Sequence, residues 1–222
     1  MNSDRRTAVI LGILLIGSIL FGILNTVPAL ESSDYLTKLS TIETQVLIAV
    51  FFQAAMAMAY VWVAVLFYPI IKKYSEGLAA GYFGFRIIGA GFLFAGIGSL
   101  LLLLWLSQSF VLAGQVNAPY FQTTGELLRR GRDILNHIGM ILPWSTGGLI
   151  LYYCLYKMKL VPQWLSVWGF VGSALTLLAT LLLMLNFIKI VTPVYFMLNA
   201  PTALFELSLA LFLIVKGFNH TD

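Results

Sequence analysis

Five residues stand out because their side chains are polar or ionisable and the chain around them is not: Gln53, Arg86, His137, Asn199 and Glu206. A carboxyl group is an acid, a base or a counter-charge, a guanidinium is a fixed cation, an imidazole is a proton carrier or metal ligand, and the amides orient neighbours by hydrogen bonding. Each of the five falls inside a long apolar run, where an ionisable group costs several kcal/mol in lipid and marks a site or an internal partner. Glu206 lies about 15 Å before Lys216 along a helical rise, and Arg86 enters its own run from the same side. That matched depth predicts an Arg86–Glu206 pair, with Gln53 near mid-depth able to join it. His137 and Asn199 fall at similar depth toward the opposite side, with Asn186 and Thr192 nearby, and form a candidate polar mouth.

The chemistry these residues exclude is as informative. A single internal histidine with no carboxylate neighbour is too little for a metal centre, and the only other, His220, sits in the tail. The lone Cys154 rules out an intrachain disulfide, a CxxC pair and a cysteine zinc site, and reads as a small buried residue. There is no GxSxG elbow, HExxH, P-loop or lysine within a span, so no cofactor is implied and the well-known enzyme classes are disfavoured.

The elements that carry these residues follow from composition. Of 222 residues, 60% are hydrophobic and 10% charged, with a mean hydropathy of +0.93, outside the range of water-soluble domains. Apolar runs cover about 7–27, 44–71, 81–106, 134–156, 164–185 and 193–215, each long enough to cross a bilayer as a helix. Continuous runs of this length, without alternation, exclude a β-barrel. The fold class expected is an all-α bundle of about six transmembrane helices in one domain, 1–222. The first run follows Arg5 and Arg6 as a signal core would, but it is too long and no cleavage pattern follows it, so it reads as a retained helix.

The formal charge of +4 is explained by membrane anchoring and not by nucleic acid. Arg5, Arg6, Lys72, Lys73, Lys157, Lys159 and Lys216 fall on one side, which places both termini in the cytoplasm of a cell-membrane protein. Lys38, Lys189 and Arg129, Arg130 and Arg132 fall opposite, and the segment from Pro119 to Arg130 is expected as a short amphipathic helix on the outer surface. Gly91, Ala95 and Ser99 predict one small-residue packing face, and Gly169 and Ser173 another. Pro143 and Pro201 should kink their helices, and Trp105, Trp164 and Trp168 suit the interfacial belt.

Four stretches together resemble a known family: Leu66-Phe67-Tyr68-Pro69-Ile70-Ile71-Lys72-Lys73, Gly81-Tyr82-Phe83-Gly84-Phe85-Arg86-Ile87-Ile88, Leu160-Val161-Pro162-Gln163-Trp164-Leu165-Ser166-Val167-Trp168-Gly169, and Pro201 to Phe218 with Glu206 and Lys216-Gly217-Phe218. The chain is similar over nearly its whole length to a bacterial integral membrane family catalogued as domain of unknown function 4386. The resemblance implies no activity. It does imply an acidic residue shortly after the arginine, where this chain has Gly89, which leaves Glu206 as the partner for Arg86.

Three functions compete. The first is binding or moving a small molecule or lipid through a polar site at Arg86, Glu206 and Gln53, with membrane lipids as partners. The second is an accessory or structural subunit whose charges only pin helices. The third and least favoured is a lipid-modifying enzyme with Glu206 or His137 as acid or base, which requires both at one cavity.

Overall fold

The computed structural model describes residues 3–114 and 118–219, and the His220 reading lies outside them. Eight α-helices form among the described residues: α1 Ser3–Leu24, α2 Tyr35–Thr41, α3 Glu43–Lys72, α4 Glu76–Leu112, α5 Ala118–Ile134, α6 Ile141–Lys157, α7 Gln163–Met184 and α8 Pro193–Val215. A π-turn, Leu135–Gly139, joins α5 to α6, so that Ala118–Lys157 runs as one span. The bundle thus has six helical segments long and apolar enough to cross a membrane, as the hydropathy runs predict. It is the architecture of a multi-pass membrane protein.

Helix ends follow local chemistry. Thr192 precedes Pro193 and accepts from the Tyr195 amide at 3.4 Å, opening α8 with a side-chain cap and a pre-set φ. Gly217 closes it at φ +81°, its amide reaching the Phe212 and Leu213 carbonyls at 3.3 and 3.1 Å. Carbonyls left over in that last turn are taken by another helix: Arg5 at the start of α1 donates to Leu213, Ile214 and Val215 oxygens at 2.9, 2.6 and 3.1 Å. The start of α1 and the end of α8 are thereby tied at one face of the bundle, which also carries Lys72, Lys73, Lys157, Lys159 and Lys216. We call this the basic end.

Packing is antiparallel between neighbours: α3 on α4, α6 on α7, α7 on α8, with α1 bridging α3 and α8. Close approach rests on glycines, as expected where lipid gives helices little hydrophobic reason to associate. A Cβ on Gly169 would strike the Phe205 ring, and one on Gly148 would sit 2.7 Å from Ser173 Oγ, so the Gly169 and Ser173 face packs as predicted. The Gly91, Ala95, Ser99 face does not: nothing lies within 4 Å of a Cβ on Gly91, and Gly91 and Ala95 are exposed. The packed seam of α4 is instead Gly89, Leu93, Gly96 and Leu100, which meets α6 at Gly89, α3 at Leu93, α3 and the π-turn at Gly96, and α2 and α3 at Leu100.

The amphipathic segment after α4 is a second correction. It does not lie flat on the outer surface. α4 is 37 residues long, about 55 Å, well beyond the roughly 30 Å hydrocarbon core. Its far end carries α5 upright beside it, with Phe110 and Phe121 rings 5.6 Å apart and Gly125 seated under Tyr35 and Leu36 of α2. Tyr35, Leu36, Leu39, Leu103 and Phe110 make a core of their own there. Gly125 is buried, and the half-buried Phe121 and Leu128 beside it pack on the core that α2 and α4 share, while Glu126 pairs with Arg129 at 2.9 Å and Arg130 at 2.6 Å.

Candidate functional site

Arg86 and Glu206 are both deep in the bundle, 3% and 6% exposed. Each lies about 15 Å from the basic end of its helix, near the middle of a bilayer. The predicted ion pair between them is not formed: no Arg86 nitrogen comes within 4.0 Å of a Glu206 oxygen. The guanidinium has gone to aromatic rings instead. Its Cζ lies 4.6 Å from the Trp144 ring centroid and 5.4 Å from that of Tyr82, contacts that desolvation strengthens to about 2 kcal/mol.

The reason is visible in the packing. Gly89, one turn beyond Arg86, lets α6 press against α4, with a Cβ there only 3.2 Å from the Met140 oxygen and 3.7 Å from Trp144 Cβ. Gly147 similarly lies 3.6 Å from Arg86 Cγ by the same measure. Where an acidic residue was expected after the arginine, glycine brings an indole to its face.

Charge and hydroxyl groups from four helices converge on this point. Tyr60 of α3, Tyr82 of α4 and Tyr152 of α6 all lie within electrostatic reach of both Arg86 and Glu206, and Glu206 and Arg86 feel one another's charge. Tyr60 holds its ring 6.0 Å from Trp144, tilted by 53°, and Tyr152 meets Phe205, the neighbour of Glu206, edge-on at 4.6 Å. Three buried donors in this group make no well-formed hydrogen bond, Arg86 Nε, Trp144 Nε1 and the Tyr82 hydroxyl, although the Tyr82 and Tyr152 hydroxyls lie beside the guanidinium. Buried polar groups are almost always satisfied, and the unsatisfied atoms around the guanidinium are all able to donate. Such a set of donors is chemically suited to an oxyanion.

Gln53 belongs to a different group. Its Nε2 donates to the Leu93 carbonyl at 2.9 Å and to Asn136 Oδ1 at 3.1 Å, about 10 Å farther along α4 than Arg86. Gly96 makes the space, since a Cβ there would collide with Asn136 Oδ1. Between Gln53 and the arginine stand Met56, Ala57 and Leu93, with Met140 packed against them. Asn136 sits in the π-turn, where the Met140 amide reaches back to Leu135 O at 2.9 Å. Pro143 follows it: without an N–H to give and with its ring against the carbonyl of Gly139, it accounts for the widened turn.

His137 and Asn199, the candidate polar mouth, make no hydrogen bond to one another, though each has a partner on Tyr195. His137 Nδ1 lies 2.9 Å from the Tyr195 hydroxyl, and Asn199 Nδ2 donates to the Tyr195 carbonyl at 2.8 Å within its own helix. Tyr195 and Glu206 are about 16 Å apart along α8, so histidine and carboxylate do not share a cavity as an acid–base pair would need. No group of three or more metal-ligating side chains occurs among the described residues.

Sequence reasoning thus found the charges and missed their neighbours. Tyr82 was open to detection, four residues before Arg86 and so on the same helix face. Trp144, Tyr60 and Tyr152 carried no local signal, because an aromatic in a span is indistinguishable from core.

No curated protein and no solved structure matches the chain. The family model described as Domain of unknown function (DUF4386) matches residues 10–217, which include Arg86, Trp144 and Glu206, and the chain therefore belongs to that family.

Proposed function

We propose that this is a ligand-binding protein of the cell membrane, with both termini in the cytoplasm, which holds the oxyanion of a small molecule or lipid headgroup at Arg86. The observation that carries the reading is a guanidinium buried at mid-membrane, facing rings and no hydrogen-bonded carboxylate, with its Nε, the Trp144 indole N–H and the Tyr82 hydroxyl all unpartnered. Aromatic contact offsets part of the cost of the buried charge, and an anion accepting those donors would offset the rest. A purely structural charge pair is less well supported, since the two charges are not in contact.

The test uses the full chain in nanodiscs and two anions of one chemistry, inorganic sulfate as the free ion and decanesulfonate as the amphiphile. Arg86→Gln should weaken binding about tenfold or more, the scale of a lost charge-assisted hydrogen bond, and Arg86→Lys, which keeps charge without the planar fork, should fall between. Thermal unfolding of each variant checks that it is folded. Preference for decanesulfonate identifies a lipid-like ligand, and preference for sulfate a water-borne one. Equal binding by wild type and folded Arg86→Gln, or no binding of either probe, overturns the reading.

A further inference from the structure

The site holds one fixed positive charge and one titratable negative one, in a medium where neither is well screened. This has a consequence for any anion that binds at Arg86. Resting on the oxyanion reading above, we infer that the anion is bound together with one proton, and that the proton is carried by the Glu206 carboxyl group.

Glu206 and Arg86 are both buried at matched depth, 6% and 3% exposed, and their neighbours Tyr82, Tyr152, Phe205 and Leu209 belong to one core cluster, yet the two charged groups are not in contact. An anion seated on the guanidinium therefore enters the field of the Glu206 carboxylate. Two negative groups against one positive group leave a net negative charge buried at mid-bilayer, the least favourable outcome in a low-dielectric site. A proton on Glu206 removes it: the carboxylate becomes a carboxylic acid, the ligand is chemically unchanged, and cation and anion balance. By thermodynamic linkage the anion raises the affinity of Glu206 for its proton and the proton raises the affinity for the anion by the same factor.

Other groups do not supply this proton. α8 packs on α1 and α7. α7 contains no titratable residue, and α1 carries Asp4, Arg5 and Arg6 in its first turn only, with Arg5 engaged by the last carbonyls of α8. The groups that face Glu206 from the remaining helices are Arg86 and the phenols Tyr60, Tyr82 and Tyr152. Phenols hold their protons at neutral pH and arginine does not release one. On α8 itself Tyr195 is remote and Lys216 is at the helix end. His137 is tied to Tyr195 in the other half of the bundle.

Decanesulfonate is the suitable probe for the coupling because it is a monoanion that does not titrate across the working range, whereas sulfate carries two charges and one proton would not balance it. Binding to wild type should weaken as pH is raised from about 5 to about 9, by at most about tenfold per pH unit while Glu206 titrates. Glu206→Gln, a neutral isostere of the acid, should bind at every pH with the affinity wild type shows at the acid limit. Calorimetry on wild type alone provides a second reading: in two buffers of different ionisation enthalpy, the heats should report up to one proton taken up per anion above the Glu206 midpoint and none below it. A wild type whose binding is pH-independent, while Arg86→Gln still abolishes it, overturns the proton coupling and leaves the anion site standing. A Glu206→Gln variant that keeps the wild-type pH slope also overturns it, because the proton is then elsewhere. Absence of binding by either probe in wild type removes both readings together.

Discussion

A buried hydroxyl with no partner is a cost the fold carries, and Tyr82 has one: the residue is 0% exposed and its oxygen makes no hydrogen bond. Removing only that oxygen should therefore not destabilise the protein. Tyr82→Phe keeps the ring that packs edge-on against Phe67 at 6.2 Å and that faces Arg86 at 5.4 Å, and its melting temperature in detergent should equal or exceed that of wild type. If the anion reading is correct, the same variant should bind the probe anions more weakly, because one donor is gone. A fall in melting temperature equivalent to about 1 kcal/mol or more, the worth of a made hydrogen bond, would show that the hydroxyl is engaged in the unliganded protein. At this scale the sequence exposes which residues are anomalous, since Arg86, Glu206 and Gln53 are conspicuous in apolar runs. It does not expose which ones meet. Gln53 and Arg86 lie at depths only about two helical turns apart, and it took the close approach at Gly96 to send the amide to Asn136 and the press of α6 at Gly89 to bring Trp144 to the guanidinium.

Among the elements, the α4–α6 contact decides the site, and it depends on glycines that a hydropathy reading passes over. A Cβ on Gly139 would lie 2.5 to 2.9 Å from the Phe92 ring, including its Cγ, which cannot swing away without moving the whole side chain. Gly139→Ala should destabilise by about 1 to 3 kcal/mol, as overpacking does. Phe92 is 36% exposed toward the lipid side, so Phe92→Ala alone should be mild, and the double variant should be more stable than the sum of the single effects predicts. Additive losses in that cycle, measured by unfolding in detergent, would show that the ring and the glycine are not in contact. The span boundaries were legible because apolar length is a local property. The tilt of α5 was not: its charged face reads as a surface helix, and only the packing of Phe121 on Phe110 and of Gly125 under Tyr35 and Leu36 sets it upright. For the same reason the small residues of α4 pointed to the wrong face, because four-residue spacing marks every face of a helix equally and only the neighbour selects one.

For the molecule as a whole, an even number of crossings returns the chain to the side where it began, and the structure bears this out where Arg5 holds the last turn of α8. The parity is independent of which side that is. Orientation comes from the basic residues flanking the spans, and the far-end arginines weigh against the bias less than their number suggests. Arg129 and Arg130 share Glu126, and Arg132 is mostly buried on a helix that packs upright on α4, with Asp133 at 3.9 Å. By contrast Lys72 and Lys73, Lys157 and Lys159 sit in the short turns between α3 and α4 and between α6 and α7, the positions where positive charge most strongly opposes translocation. A fluorescent protein that matures only in the cytoplasm should therefore be bright when fused after Asp222, and equally so at the N-terminus. Alkaline phosphatase, active only outside, should be inactive at both termini and active when inserted in the 186–192 connection between α7 and α8. The reverse pattern would invert the protein in the membrane and make the far end, with His137 and Tyr195, the cytoplasmic one. Termini that report opposite sides would contradict the six crossings themselves, and with them the shared depth of Arg86 and Glu206.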